Sequence, residues 1–319
     1  MTLVSYAQTT RTAQLRPVPQ EYTHKLAASE VLLTGWAPAG EDRVTVTARW
    51  PRTHSFYAPV AGRHDPMLLA ETLRQSIPLI SHACYDVPLG HHLIWQHFTY
   101  EVAHEAMWAD GGPMDVELRI ACGDIVRRGG RLAALTMDIE ILRDGLPLGT
   151  AHTRFSSHAP SIYRRLRGER YTAPSALADA APVPLSGVVP VVPPALVNRD
   201  HADDVVLSPT PRPDQWQLRV DHSHPILFDH PVDHAPGMLL LEAARQAAHA
   251  VQGHRANVVF PVRFESAFFR YVEFDAPCLI TAAIEPTNRP GGHHCVSVTA
   301  SQEDIEAFSC RVTVAATRA

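Results

Sequence analysis

Cysteine is scarce in this chain, charge is modest, and long apolar runs are missing. Five cysteines (Cys84, Cys122, Cys278, Cys295 and Cys310) lie scattered through 319 residues with no Cys-x-x-Cys pair. An odd, dispersed set excludes a disulfide framework and reads as reduced thiols in a cytoplasmic protein. No apolar stretch approaches the roughly 18 residues that a membrane helix requires. Met1–Pro17 also lacks the apolar centre of a signal peptide. Charged residues make up 19% and the formal net charge is −5, so there is no concentrated basic face of the kind that holds nucleic acid. The chain has no Gly-x-Ser-x-Gly, no P-loop and no dinucleotide fingerprint, so neither a covalent serine intermediate nor a cofactor is expected.

What is present is a repeat. The stretch His230-Pro-Val-Asp-His-Ala-Pro-Gly-Met-Leu-Leu-Leu-Glu-Ala-Ala-Arg-Gln246 opens a helix at Pro236-Gly237, and no breaker follows as far as Ala250. That helix is apolar almost all the way round, which marks it as buried. Glu242, Arg245 and Gln246 are set into it on one face, because residues three and four apart are neighbours on a helix. A carboxylate in such a place needs a partner or a use. Asp65-Pro-Met-Leu-Leu-Ala-Glu-Thr-Leu-Arg-Gln75 carries the same pattern. Met67, Glu71, Arg74 and Gln75 map onto Met238, Glu242, Arg245 and Gln246 at one offset, 242 − 71 = 171, and His54 and His224 precede the two copies. Internal repetition of this kind sets the architecture.

The pattern predicts strands over Glu30–Trp36, Arg43–Trp50, His97–Glu105, Val116–Cys122, Arg131–Leu142 and Leu148–Ser156. In the second half it predicts Val205–Leu207, Trp216–Val220, Val258–Ser266, Phe268–Glu273, Cys278–Glu285, His294–Gln302 and Ile305–Ala315. Arg128-Gly-Gly130, Asp144-Gly145 and Arg289-Pro-Gly-Gly292 read as turns. The first helix runs from about Pro66 to about Cys84 with Asp65 as its N-cap, and Pro78 is expected to kink or shorten it. Many of the 27 prolines gather between Pro160 and Pro213. Residues 22–165 are therefore expected to form one unit, 166–198 a Pro-rich connector and 199–319 a second unit. The basic run Arg164-Arg-Leu-Arg-Gly-Glu-Arg170 reads either as a solvated segment or as a contact for an acidic partner. The fold class is α+β: tandem hotdog units, each a long buried helix wrapped by an antiparallel sheet, packed as a pseudo-dimer.

Taken together, Glu30–Trp36, Trp50-Pro-Arg-Thr-His-Ser-Phe56, Glu71–Gln75, Val87-Pro-Leu-Gly-His91 and His230–Gln246 resemble the A-factor biosynthesis protein family of actinomycetes, over both halves of the chain. The resemblance implies a double-hotdog acyltransferase. It would join a β-ketoacyl chain, carried on acyl carrier protein, to the free hydroxyl of dihydroxyacetone phosphate, giving the precursor of γ-butyrolactone-type signalling molecules. It also implies that Glu71, Glu242 and Arg245 are functional. The helix is similar to that of hotdog dehydratases too, but there the loop histidine lies further from the helix acid than His230 does from Glu242.

Acyl transfer needs a polarised carbonyl, a base for the attacking hydroxyl and a holder for phosphate. The helix start at Pro236-Gly237-Met238 offers free N–H groups and a positive dipole end. Glu242, shielded by leucines and alanines, is expected to have its pKa raised towards neutrality and to act as base. Arg245 either holds that carboxylate or grips phosphate. His230 and His234 are alternative bases, one of them oriented by Asp233, and Arg74 and Gln246 complete the expected binding set. The second copy, with its Pro-Gly start, reads as the more competent. His222, His224, His230 and His234 invite a metal reading, but no cysteine or carboxylate set completes it, and no metal is expected. The competing functions are a hotdog dehydratase or thioesterase, and a non-catalytic acyl-ligand binder.

Overall fold

The computed structural model describes residues 14–172, 190–253, 259–286 and 293–316. Its strands are β1 (Leu33–Gly40), β2 (Arg43–Trp50), β3 (His92–Val102), β4 (Met114–Arg128), β5 (Arg131–Arg143) and β6 (Leu146–His158), followed by β7 (Leu207–Pro209), β8 (Gln215–Leu218), β9 (Val259–Phe268), β10 (Cys278–Ile284), β11 (His293–Gln302) and β12 (Ile305–Ala316). The helices are α1 (Pro66–Tyr85), α2 (Pro160–Arg167) and α3 (Gly237–Ala250). Among the described residues no helix is long and apolar enough to cross a membrane.

All twelve strands form one antiparallel sheet in the order β1-β2-β4-β5-β6-β3-β9-β12-β11-β10-β8-β7. Read from either end, the order is the same once β1–β6 are exchanged for β7–β12, which is the mark of two equivalent units joined edge to edge. The join is β3 on β9, with Tyr100 opposite Phe264 and their rings stacked 5.1 Å apart. Pairing removes the exposed edge that each unit would otherwise present. The turns Gly129-Gly130 and Asp144-Gly145 have positive φ at both residues, as a two-residue hairpin requires. The Arg289–Gly292 turn lies outside the described residues.

Two expectations are corrected. Pro78 does not shorten α1, which runs on to Tyr85. A helix-interior proline costs ~3 kcal/mol, and burial of Leu79 and Ile80 beyond it, at about 1.5–3 kcal/mol each, outweighs that. Phe268–Glu273 is not a strand: β9 ends at Phe268, and the amides of Phe269 and Arg270 both turn to the carbonyl of Ala307. Pro194–Val197 is a 3-10 turn closed by Asn198 in the left-handed region, just as Gln20–Thr23 is closed by His24. Each turn delivers a cation to a helix, Lys25 in one copy and Arg199 in the other, at an offset of 199 − 25 = 174.

These arms seat the helices. Gln75 accepts from the amide of Leu32 (2.9 Å) and donates to the carbonyl of Glu30 (2.7 Å); Gln246 does the same with Val206 (2.9 Å) and Asp204 (2.8 Å). Each glutamine thereby satisfies backbone groups that would otherwise be buried and unpaired. Gln246 also donates to Glu242, and Arg245 grips that carboxylate through Nε (3.0 Å) and Nη2 (2.8 Å). Arg199 adds a contact at 2.8 Å. It also donates to the carbonyl of Phe56 and lies over that ring at 3.9 Å, so the cluster ties the second unit to a loop of the first. Arg245 reaches further, to Asp65 at 3.8 Å.

Burial by itself would raise the Glu242 carboxyl, but Arg199 and Arg245 outweigh it and hold it at about 2. A depressed acid contributes stability that is present above its ordinary value of 4.5 and is lost as pH falls from there towards 2. Glu242→Gln, which strands two buried guanidiniums, is expected to cost about 3–5 kcal/mol near neutral pH. Urea denaturation at several pH values should also show a flatter acid limb in the variant. An acid limb as steep as that of the unaltered chain would refute the pairing.

Candidate functional site

The two helix starts differ in a way that decides where a ligand can go. At α1, Asp65 caps the helix, its side chain accepting from the amide of Met67 at 2.8 Å. Around that start His64, Trp50, Tyr57 and Tyr100 are all buried, and Arg245 approaches the cap itself. At α3 the N-cap is Pro236, which offers no side-chain acceptor. The amides of Leu239 and Leu240 are taken by the carbonyl of Pro236. Those of Gly237 and Met238 have no intrahelical acceptor, and both residues line a cleft of about 650 Å³.

The cleft lies between the units. Met238 and Leu240 of α3 face Arg74, Ile77 and Pro78 of α1 across it, with Trp95 and Phe268 from the joined strands as apolar walls. Gly237 is required here, since a Cβ on it would come within 2.7 Å of the Trp95 ring. Trp95 in turn stacks on Phe98 at 4.7 Å, leaving it little room to retreat.

On one side of the helix start sit Asp233 and His234. His234 Nδ1 is 2.8 Å from Asp233 Oδ1. An ionised carboxylate only accepts, so Nδ1 carries the proton and Nε2 is left as the basic nitrogen. Asp233 is fixed from behind by α2: Tyr163 donates to Oδ1 at 2.6 Å, and Arg167 donates to Oδ2 at 3.2 Å and to the backbone carbonyl at 2.9 Å. Arg167 is itself held by Glu273 through two contacts of 2.7 Å. Burial would raise the Asp233 carboxyl, but hydrogen bonds from His234 and Tyr163 and the charge of Arg167 hold it well below the usual range. His92, stacked on Tyr163 at 3.5 Å, is pushed down to about 4 by burial and stays neutral.

On the opposite side stands Arg74. Its guanidinium contacts Glu71 at 2.9–3.1 Å, with Gln75 and Lys25 completing the set around the acid. Burial opposes ionisation of Glu71, yet Arg74 and Lys25 keep its carboxyl below the ordinary value. Unlike Arg245, which is buried, Arg74 retains part of its surface on the cleft. His24 beside it is pushed down to about 3, first by burial and then by the neighbouring His82 and Arg74.

Of the residues expected from sequence, Arg74, Gly237, Met238 and His230 line this cleft. Glu71 lies directly behind Arg74. Glu242, Arg245 and Gln246 do not line it. Their helix face is filled by Arg199 and Asp65, and the expected rise in the Glu242 pKa is a fall instead. The Pro-Gly start of the second copy therefore lies opposite the Glu71–Arg74 pair of the first, rather than beside its own acid. Of the four loop histidines, His222 packs on Phe274 and His224 on Phe56, while only His230 and His234 reach the cleft. Tyr163 and Trp95 carry no local motif, so spacing did not reveal them; Arg167 lies in the basic run Arg164–Arg170, but it is buried against Asp233 and Glu273 rather than solvated. Lys25 and Arg199 do carry a signal: shifting the repeat offset from 171 to 174 across one insertion aligns Pro19–Leu33 with Pro193–Leu207.

Comparison with known proteins shows the fold and the family. Two solved structures share the fold: a Lactobacillus plantarum protein assigned as an oleoyl thioesterase (11% identity, TM-score 0.52, covering 86% of this chain and 97% of that one) and a Novosphingobium aromaticivorans protein assigned as a thioesterase (12%, 0.50, 89% and 98%). Similarity in sequence is much higher to proteins named 2-oxo-3-(phosphooxy)propyl 3-oxoalkanoate synthase. That of Streptomyces virginiae is 43% identical over 92% of this chain and 96% of its own length. The Streptomyces coelicolor protein is 42% identical over 92% and 90%, and the Streptomyces griseus protein 42% over 85% and 87%. The family model described as the A-factor biosynthesis hotdog domain matches residues 6–158 and 181–318. With both halves matched and such relatives across most of its length, this chain belongs to the A-factor biosynthesis hotdog family.

Proposed function

We propose that the chain transfers a 3-oxoacyl group from the thioester of an acyl carrier protein to the free hydroxyl of dihydroxyacetone phosphate, yielding the ester precursor of γ-butyrolactone-type signalling molecules. The observation that carries this reading is the uncapped start of α3, which opens into a cleft holding both the Asp233–His234 pair and Arg74. The compound name borne by the Streptomyces relatives describes the product of such a transfer.

In this mechanism the thioester carbonyl oxygen sits on the Gly237 and Met238 amides, where negative charge is favoured by free N–H groups and the helix dipole. His234 Nε2 takes the proton of the attacking hydroxyl, while Asp233 holds the resulting imidazolium. The new C–O bond gives a tetrahedral oxyanion. Its collapse breaks the C–S bond, and the proton on His234 passes to the departing thiolate. Arg74 supplies the charge for the acceptor phosphate, and Trp95, Phe268 and Leu240 border the acyl chain. Glu71 holds Arg74 in place, and Glu242 and Arg245 form the structural counterpart on the sealed side. All five cysteines are free thiols, which suits a cytoplasmic setting.

The test is reconstitution. Purified protein, a 3-oxoacyl thioester and dihydroxyacetone phosphate should give the phosphorylated ester or its cyclised butenolide by mass spectrometry. Free 3-oxo acid alone, or an enoyl product from a 3-hydroxyacyl thioester, would replace this reading with hydrolysis or dehydration. His234→Gln should lower kcat by about two to four orders of magnitude with little change in Tm. Arg74→Lys keeps the charge but loses the forked geometry. It should raise KM for dihydroxyacetone phosphate about tenfold and leave KM for the thioester unchanged. Equal effects on both constants would remove Arg74 from the phosphate site.

A further inference from the structure

The mouth of the cleft is bordered by an arginine-rich rim that the chemistry above does not use. On α2, Tyr163 and Arg167 point inwards and are buried, whereas Ile162, Arg164, Arg165 and Leu166 on the same helix are exposed. Arg170 continues that surface, and Phe269 and Arg270 extend it from the far side of the cleft, where β9 ends. Arg164, Arg165 and Arg270 have no carboxylate within ion-pair distance among the described residues. On other surfaces arginines such as Arg49, Arg119, Arg212 and Arg311 are each matched to an acid. The rim's own acids are Glu169, Glu303 and Asp275, and Arg170 is matched to Asp275 at 3.5 Å and Glu273 at 3.8 Å, so the unmatched charge is that of Arg164, Arg165 and Arg270. Further round, Arg131 and Arg128 act on His91 and His158.

Three large apolar side chains break this basic surface: Ile162 is 37% exposed, Leu166 56% and Phe269 54%. A net charge of −5 for the whole chain makes the rim a local exception, suited to steering a negatively charged body. Exposed aliphatic and aromatic groups ringed by arginine are the composition of a protein contact rather than of a nucleic-acid groove. The helix is also held rigidly from beneath, because Tyr163 and Arg167 anchor it to Asp233 and Glu273. A surface already ordered loses little freedom on binding.

We propose that α2 and the Phe269–Arg270 corner form the docking surface for a small acidic acyl-carrier protein, whose thioester arm passes between them to the start of α3. This rests on the transferase reading, since it names the donor of that same cleft. The carrier body stays outside on the arginines, with Leu166 and Phe269 against an apolar patch of its own.

The test uses the full chain and the double variant Arg164→Glu/Arg165→Glu, both positions lying outside the catalytic machinery. The same 3-oxoacyl group is offered on the carrier protein and on free pantetheine, and binding of the loaded carrier is measured separately by surface plasmon resonance. Expected are a KM for the carrier-borne substrate raised about tenfold or more, unchanged kcat and KM with acyl-pantetheine, and carrier binding that weakens as salt rises. Equal kinetics with the carrier before and after charge reversal would overturn the proposal. So would carrier binding that ignores both salt and the reversal. If vesicles rich in phosphatidylglycerol bind the unaltered chain but not the variant, while carrier kinetics stay the same, the surface belongs to lipid instead. Absence of transfer from either donor would count against the transferase reading, and the binding measurement would still decide the docking surface.

Discussion

A carboxylate buried in a greasy helix is the constraint from which the rest of this structure follows. Glu71 and Glu242 each sit among leucines and alanines, where an unpaired charge is prohibitive. Each is met by an arginine and a glutamine from its own helix and by a cation from the arm in front of its unit. Meeting that need fixes where the arms run, which face of each helix turns away from the sheet, and how the glutamines clamp the first strand of each unit. In the second unit the cation also seizes the backbone of Phe56, so satisfying one acid welds the two halves together.

The same device, used twice, does not give two equal sites. At α1 the aspartate cap occupies the helix amides, and Arg245 packs against that cap. At α3 the cap is a proline and the next residue a glycine, so the amides stay open and the indole of Trp95 can lie against the helix. Gene-level duplication supplies the symmetry of the sheet; three residues at the helix starts break it. In the proposed mechanism the acids belong to the framework, and the reactive groups come from the loop before α3 and from the facing side of α1.

Much of this was legible in the chain. The repeated Met-x-x-x-Glu-x-x-Arg-Gln pattern identified both helices, and alternation located nearly all of the strands. Pro236-Gly237 marked the helix start that opens into the cleft. The raised pKa expected for Glu242 is not found, for a definite reason. The apolar residues around it argued for a raised pKa, but the opposing charge of Arg199 lies 43 residues away in sequence. Pro78 misled because local propensity was judged without the burial on either side of it. Phe268–Glu273 misled because an apolar run of that length fits a strand or a cleft wall equally well.

What the sequence determined by itself was whatever depends on neighbours along the chain: the two helices, their buried acids, the turn glycines, the hotdog unit and its duplication. Only the tertiary structure decided which helix start is sealed and which is open, that Arg74 rather than Arg245 faces the cleft, and that Tyr163 and Arg167 brace Asp233. The physical reason is the same in each case. Charge pairing and close packing act through space, between groups that chain order leaves 66 to 106 residues apart in the bracing of Asp233 and Arg167, and no periodicity records them.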